Sequence, residues 1–450
     1  MRGDVSFTFL DRIEEIELNI LDRRWQSALA LALTLPDICG GIAFPEIVKH
    51  YRDGRVMLDR QKNPTRDVGT QYIRWFDEYA GDHFKLSQSD EKPYICGERC
   101  WQLRCEYLHQ NKGFLNAEKN QQSILEEYEK VLNENTAEKL TSAMYNTKLS
   151  DDNNMTLKDA NGNTFVIPAG FKMVVNDDTN NATTVDKGIV IEDATVDSEG
   201  NATATAGSQF VWIPVGKIYT DTAITEANAK TIELNRYTFD SNGTPTAQGE
   251  KAITENNINY QELETSNKGN IVAKSITNFK TSVTTNGGYY IGRYEARTST
   301  ARNKENDTLT QITVKGTDKV YNWVTQIQAA SQSQNMYNST KFTSDLMNSY
   351  AWDTATLFLQ TCGTNTKYSI KTSVNSTLSQ TGTSDDKQCN IFDMASNLRE
   401  WTTETSSNSN SPCVNRGGSY YNSGHYTSYH NLYITSQSGI GLGFRPILYL

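Results

Sequence analysis

The apolar positions change their period along the chain, and each change marks an element boundary. From about residue 8 to 112 they recur at helical spacing. Ile13, Ile16, Leu18, Ile20 and Leu21 run into Trp25, Ala28, Leu29, Ala32 and Leu33, which predicts one long amphipathic helix ended by Pro36 and the Gly40-Gly41 pair. Tyr72, Trp75, Phe76 and Tyr79 predict a second helix over about 68–80, and Leu103, Tyr107 and Leu108 a third over about 97–110. Residues 1–115 therefore read as an all-α helical bundle. Residues 116–150 read as a linker with a charged connecting helix over 116–146, amphipathic around Glu126 to Leu132.

After Leu149 the composition turns to Thr, Asn, Ser and Gly. Short apolar runs such as Thr164 to Ile167 and Gly188 to Ile191, bounded by turn residues, predict strands. The Asn- and Thr-rich stretch 217–285 offers little that would bury a face and reads as an insertion or long loops. No repeat of fixed period is visible. Residues 151–450 form the second domain, with its core over about 200–450.

A chain of 450 residues exceeds what one hydrophobic core serves, so a multidomain protein is expected. The net charge of −10 opposes non-specific binding to nucleic acid, and any RNA site has to be local. Seven cysteines, an odd number scattered through a large chain, are not a secreted disulfide framework and point to reduced thiols. The N-terminus runs into the charged stretch 11–17, and no run approaches the roughly 18 apolar residues of a membrane span. These features lead to the expectation of a soluble, cytoplasmic protein with no membrane partner.

Four segments of the second domain stand out: Gln209 to Val215, Gly287 to Glu295, Ile391 to Thr402, and Arg416 to Tyr420 with a terminal Gly443-Phe-Arg-Pro446. Phe210-Val-Trp-Ile213 suits a buried strand, and the pairs Gly287-Gly288 and Gly417-Gly418 suit close backbone approach or positive φ. In this order they resemble the formylglycine-generating-enzyme family and the related variable proteins of diversity-generating retroelements. The resemblance implies an α+β C-type-lectin-like fold. It places the enzyme's two cysteines at Asn422 and Thr427, where no thiol stands, so a formylglycine-generating oxidase is not expected.

The segment that replaces those cysteines is rich in Tyr, Ser, Asn and His: Tyr420, Tyr421, Asn422, Ser423, His425, Tyr426, Ser428, Tyr429, His430, Asn431 and Tyr433. Tyrosine supplies rigid contact area, and Ser and Asn supply adaptable hydrogen bonds, as in antibody loops. These residues are the candidate ligand-binding set, within a variable segment of about 416–446, and a protein is the expected ligand. Most of these types are reached from an asparagine codon by replacing its adenines, the mark that adenine-directed retroelement mutagenesis leaves. The resemblance also implies a calcium site on Asp393 and Glu400, with the backbone around Ser396 and Leu398.

In the first domain the string Leu103-Arg104-Cys-Glu-Tyr-Leu-His109 resembles the R-x4-H motif of HEPN-domain proteins, many of which are metal-independent ribonucleases. The polar or aromatic positions Asp37, Tyr72, Trp75 and Asp77 in earlier helices fit that context. His109 would accept the proton of a 2′-hydroxyl, and Arg104 would stabilise the charge developing on phosphate. Five helical residues turn through about 140°, so the two side chains do not share a face, which suggests a site shared across a homodimer. Cys105 departs from the family's polar residue after the arginine. The combined expectation is a sensor-effector in which a diversified lectin-like domain acts on an RNase-like domain, in defence. The alternative is a binding protein whose helical domain only oligomerises.

Overall fold

In this computed structural model the described residues are 25–84, 95–109, 137–175 and 182–450, with short gaps between 263 and 272, together with isolated positions between 13 and 19. The chain divides into two compact units, Met1–Leu125 and Glu126–Leu450. Among the described residues, no helix is long and apolar enough to cross a membrane.

The first unit holds the helices Trp25–Ala32, Leu35–Ala43, Val68–Trp75 and Gly97–His109, and a π-helical turn over Phe76–Ala80. Leu33, Tyr72, Phe76 and Cys100 form its buried core. Two expectations need correction. Pro36 and Gly40-Gly41 do not end a helix: the chain turns at Leu33-Thr34, and Pro36 lies in the first turn of Leu35–Ala43. Proline is tolerated there because its missing N–H would be unpaired anyway. Gly40 lies where an added Cβ would fall 2.5 Å from the Gln71 carbonyl oxygen, so it allows two helices to approach closely. The unit is also not all-helical. Residues 48–66 form β-bridges, Val48 with Arg66, His50 with Val56, and Leu58 with Pro64, because the turns at 51–55 and 59–63 fold the segment on itself.

The second unit is β-rich with few helices. Its central sheet runs, in order, Thr343–Leu346, Pro446–Tyr449, Gly288–Gly292, Gln209–Pro214, Val190–Asp193 and Phe171–Met173. Tyr290 lies opposite Trp212, and Ile291 opposite both Val211 and Ile447. Continuous apolar runs become strands here because both faces are covered. The helix Ser349–Cys362 is buried from Ser349 to Gln360, and the Tyr289 hydroxyl donates to the Ala351 carbonyl at 2.7 Å. Gly287 ends the helix Ile276–Asn286 at φ 71°. A Cβ on Gly288 would meet the Trp212 ring at 2.4 Å.

Two further corrections concern the edges of this unit. The connecting helix expected over 116–146 lies outside the described residues up to 136. Beyond that point Glu138–Lys139 pairs parallel with Met155–Lys158, and Asn146 bonds the backbone of Val175 through both amide atoms. Residues 217–285 are not mere loops. Ile253–Glu255 and Ile258–Gln261 join a second sheet with Arg399–Ser406, Cys413–Arg416 and His430–Tyr433, and the first two bury a single side chain each, Ile253 and Tyr260, too few for a visible alternation.

Candidate functional site

The Tyr/Asn/Ser/His segment leaves the second sheet after Cys413–Arg416 and returns as His430–Tyr433, with Arg416 opposite His430. Its departure is fixed by two glycines. Gly417 adopts φ 88°, and a Cβ on Gly418 would fall 1.7 Å from the Ala395 carbonyl oxygen. Farther along, the backbone is stapled at several points. Tyr420 N–H donates to Asn397 O at 2.9 Å, Thr427 N–H to Lys371 O at 3.0 Å and Ser428 N–H to Ser369 O at 3.0 Å. The indole N–H of Trp352 donates to Thr427 O at 2.9 Å.

Beneath the segment lies a buried charge network. Arg416 ion-pairs with Asp353, and its Nη1 reaches Glu404 at 3.0 Å. Arg236 pairs with the other oxygen of Glu404 at 2.7 Å. Burial opposes a charge on Glu404, but His430, Arg416 and Arg236 outweigh it and hold this carboxyl well below the usual range. His430 Nε2 lies 2.7 Å from Arg416 Nη1 and its Nδ1 3.3 Å from Glu255; burial and Arg416 oppose a charge on the imidazole, but Glu404 and Glu255 outweigh them and raise its pKa above the usual value. The Tyr260 ring packs on His430 at 4.4 Å. Sequence reading missed Arg236, Asp353, Glu404, Glu255 and Tyr260. The one local signal is Arg236, an arginine isolated in an Asn/Thr-rich stretch.

The candidate ligand-binding residues separate into an outer and an inner set. Tyr421 is 61% exposed, and Asn422 and Ser423 are exposed beside it, as are Ile434, Thr435 and Ser436. Tyr420, Tyr426, Tyr429, Asn431 and Tyr433 are half-buried, whereas His425, Ser428 and His430 are buried. The Arg399 guanidinium lies 5.6 Å from the Tyr421 ring centre and 5.2 Å from that of Tyr433, a cation–π arrangement that organises the outer rings. Of the two positions corresponding to the enzyme's cysteines, Asn422 is exposed and Thr427 buried. All seven cysteines are free thiols.

His425 stacks on Tyr429 with ring centres 4.1 Å apart. Asn422 Oδ1 accepts from Gly424 N–H at 3.1 Å, which turns its Nδ2 toward His425 Nε2 at 3.0 Å, so the imidazole accepts and is neutral. Burial, then the Arg399 charge, lowers the pKa of His425 to about 4. A folded-state pKa below the unfolded value of about 6.5 means that its contribution to stability is present above pH 6.5 and is lost as pH falls through 4. Between pH 7 and 4 the thermal midpoint of the native chain is therefore expected to fall further than that of His425→Phe, which keeps the stack but does not titrate. Parallel decline in both proteins would contradict this.

The four residues of the implied calcium site are engaged by protein partners. Both oxygens of Glu400 accept from Arg445, at 2.7 and 3.0 Å. Asp393 accepts from Gly382 N–H at 3.0 Å and from the Ser384 hydroxyl. Ser396 Oγ accepts from Val374 N–H at 3.1 Å, and Leu398 N–H donates to Glu295 at 2.9 Å. Arg445 already supplies Glu400 with the positive charge that a calcium ion would bring. No grouping of three or more His, Cys, Asp or Glu suited to a metal occurs among the described residues.

In the helical unit Arg104 is 11% exposed and pairs with Asp37 at 2.5 Å, with the Trp101 ring 4.8 Å from its guanidinium. Tyr72 shares a 3.2 Å contact with Cys100, and Asp77 accepts from Gly97 N–H at 2.6 Å, at the start of the helix that carries Arg104. His109 ends that helix, and its side chain lies outside the described residues.

No family model matches the chain, and no curated protein matches it. Among solved structures, Treponema denticola variable protein 1 is similar at 12% identity with a TM-score of 0.28, over 55% of this chain and 98% of that one.

Proposed function

We propose that the 420–436 segment is a ligand-binding surface carried on a C-type-lectin-like frame, and that its ligand is a protein. The observation that carries this reading is the division of the segment. Its inner part is held by backbone bonds to Asn397, Lys371 and Ser369 and, through His430, by the buried ion network, while Tyr421, Asn422, Ser423, Ile434, Thr435 and Ser436 face outward. Rigid aromatic anchors among adaptable polar groups make protein contacts at low entropic cost. Retroelement diversification of 416–446 belongs to the same reading, as does a cytoplasmic setting, which suits seven free thiols.

Panning a displayed protein library against the purified chain tests the proposal. Binders are expected whose affinity drops at least tenfold for Tyr421→Ala/Tyr433→Ala, since clustered tyrosines act as hot spots worth about 2 kcal/mol or more. Binders indifferent to that variant would place the binding surface elsewhere.

For the helical unit, the pairing of Arg104 with Asp37 favours an oligomerising, non-catalytic role over a HEPN-type ribonuclease, because the guanidinium is already neutralised. In the ribonuclease reading, Arg104 and His109 of a homodimer would cleave RNA without metal. Incubation of labelled transfer and messenger RNA with the full chain in EDTA is expected to leave the RNA intact. Cleavage that disappears in His109→Ala would instead establish the nuclease.

A further inference from the structure

Residues 47–66 carry Lys49, Arg52, Arg55, Arg60, Lys62 and Arg66 against Asp53 and Asp59. Six positive minus two negative charges leave +4 on twenty residues of a chain whose net charge is −10. From these residues and their geometry, we infer that this segment is a prong that binds single-stranded nucleic acid.

The backbone makes the prong a built structure. Lys49 N–H donates to Thr65 O, Thr65 N–H to Met57 O and Met57 N–H to Lys49 O, each at 2.8 Å, closing a triangle of three short strands. Two turns project from it, each with a residue at positive φ, Gly54 at 85° and Lys62 at 67°.

Both acids of the prong are already satisfied locally. Asp53 pairs with Arg55 at 2.7 Å, and Asp59 accepts from Gln61 N–H and Asn63 N–H, each at 2.8 Å. Arg66 is engaged by Gln71 and by Asp37 O. Lys49, Arg52, Arg60 and Lys62 are left exposed with no anionic partner among the described residues. Four such cations, two at each turn or beside it, suit the spaced charges of a phosphodiester strand.

Tyr51 adds an aromatic face to these cations. Its ring is 50% exposed, with the Arg55 guanidinium 5.9 Å from the ring centre, and an aromatic face beside an arginine is a platform on which a base stacks. The turn tips, Arg52-Asp53-Gly54 and Arg60-Gln61-Lys62, are polar and could not enter hydrocarbon. The inference concerns binding alone and holds whether or not the chain cleaves RNA. Arg66 at the base of the prong meets Asp37, which also holds Arg104, so a bound strand would run onto the helix bearing the R-x4-H string.

Fluorescence anisotropy of labelled 20-nucleotide oligouridine with the full chain in EDTA tests this, with intact probe verified on a gel. Neutralising four phosphates predicts that affinity falls on the order of 50-fold between 50 and 200 mM salt. Arg52→Glu/Arg60→Glu, which changes only exposed turn residues, is expected to weaken binding at least tenfold with its thermal midpoint unchanged. Tyr51→Ala is expected to weaken it several-fold. Absence of binding at 50 mM salt, or binding that the double variant leaves intact, would overturn the inference. So would phosphatidylserine vesicles retaining the native chain, but not the double variant, while the oligonucleotide is ignored.

Discussion

Replacing Arg416 by alanine is expected to destabilise the β-rich unit by about 3–5 kcal/mol. The change removes one cation from a site in which Glu404, Asp353 and Arg236 are all buried. Asp353 loses the guanidinium with which it pairs, and Glu404 keeps only Arg236 and His430. Deleting one partner of a buried pair leaves the other charge desolvated and uncompensated, which costs far more than the net worth of the pair. Arg416→Lys should fall between, since a lysine cannot reproduce contacts from two guanidinium nitrogens. Urea unfolding checks this through a lower midpoint at unchanged slope. A loss below about 1 kcal/mol, the size of an exposed pair's contribution, would mean that the network is open to water.

Trp352→Ala is expected to cost about 3–5 kcal/mol through the cavity left by a fully buried indole. It should also release the segment locally. The indole N–H holds Thr427 O, and its ring lies 3.1 Å from where a Cβ on Gly417 would stand, so Trp352 braces both ends of the 417–427 loop. Trp352→Phe keeps much of the volume and loses the hydrogen bond, which predicts a smaller cost together with faster amide exchange at 425–428. If the two variants lose equal stability and leave exchange unchanged, Trp352 supports the core and not the loop.

The strands of the central sheet were legible because they bury both faces. Phe210-Val-Trp-Ile213 and Tyr289-Tyr-Ile291 are contiguous apolar runs, and the glycines beside them mark positions where a side chain would collide. The candidate surface stands out by composition, with tyrosines and small amides gathered outside any apolar period. What composition did not reveal is which of these residues turn inward. His425, Ser428 and His430 read like their neighbours, and only long-range contacts bury them: the backbone bond of Ser428 to Ser369, the pairing of His430 opposite Arg416 under Tyr260 and the stacking of His425 on Tyr429.

The supporting network was invisible for a different reason. Arg236, Asp353, Glu404, Arg416 and His430 come from five separate parts of the chain, and no local pattern couples them. In the helical unit, Pro36 and Gly40-Gly41 read as a stop because each residue type breaks helices in water. Pro36 instead sits in a first turn, and Gly40 fills a helix contact too tight for a Cβ. The basic prong interrupts a region of helical periodicity, and its exposed Val56 and Leu58 stand two residues apart, the alternation of a strand and not of a helix face.

The most direct test of a tolerant binding surface on a fixed frame is to randomise Tyr421, Asn422, Ser423, Ile434, Thr435 and Ser436 together and measure the fraction of variants that fold, scored by protease resistance. Exposed substitutions usually change stability by no more than about 0.5 kcal/mol, so most of this library is expected to fold, whereas a matched library at Arg416, Thr427 and His430 should not. If the outer library collapses as completely as the inner one, these residues belong to the core architecture, and the segment is not a surface built for binding.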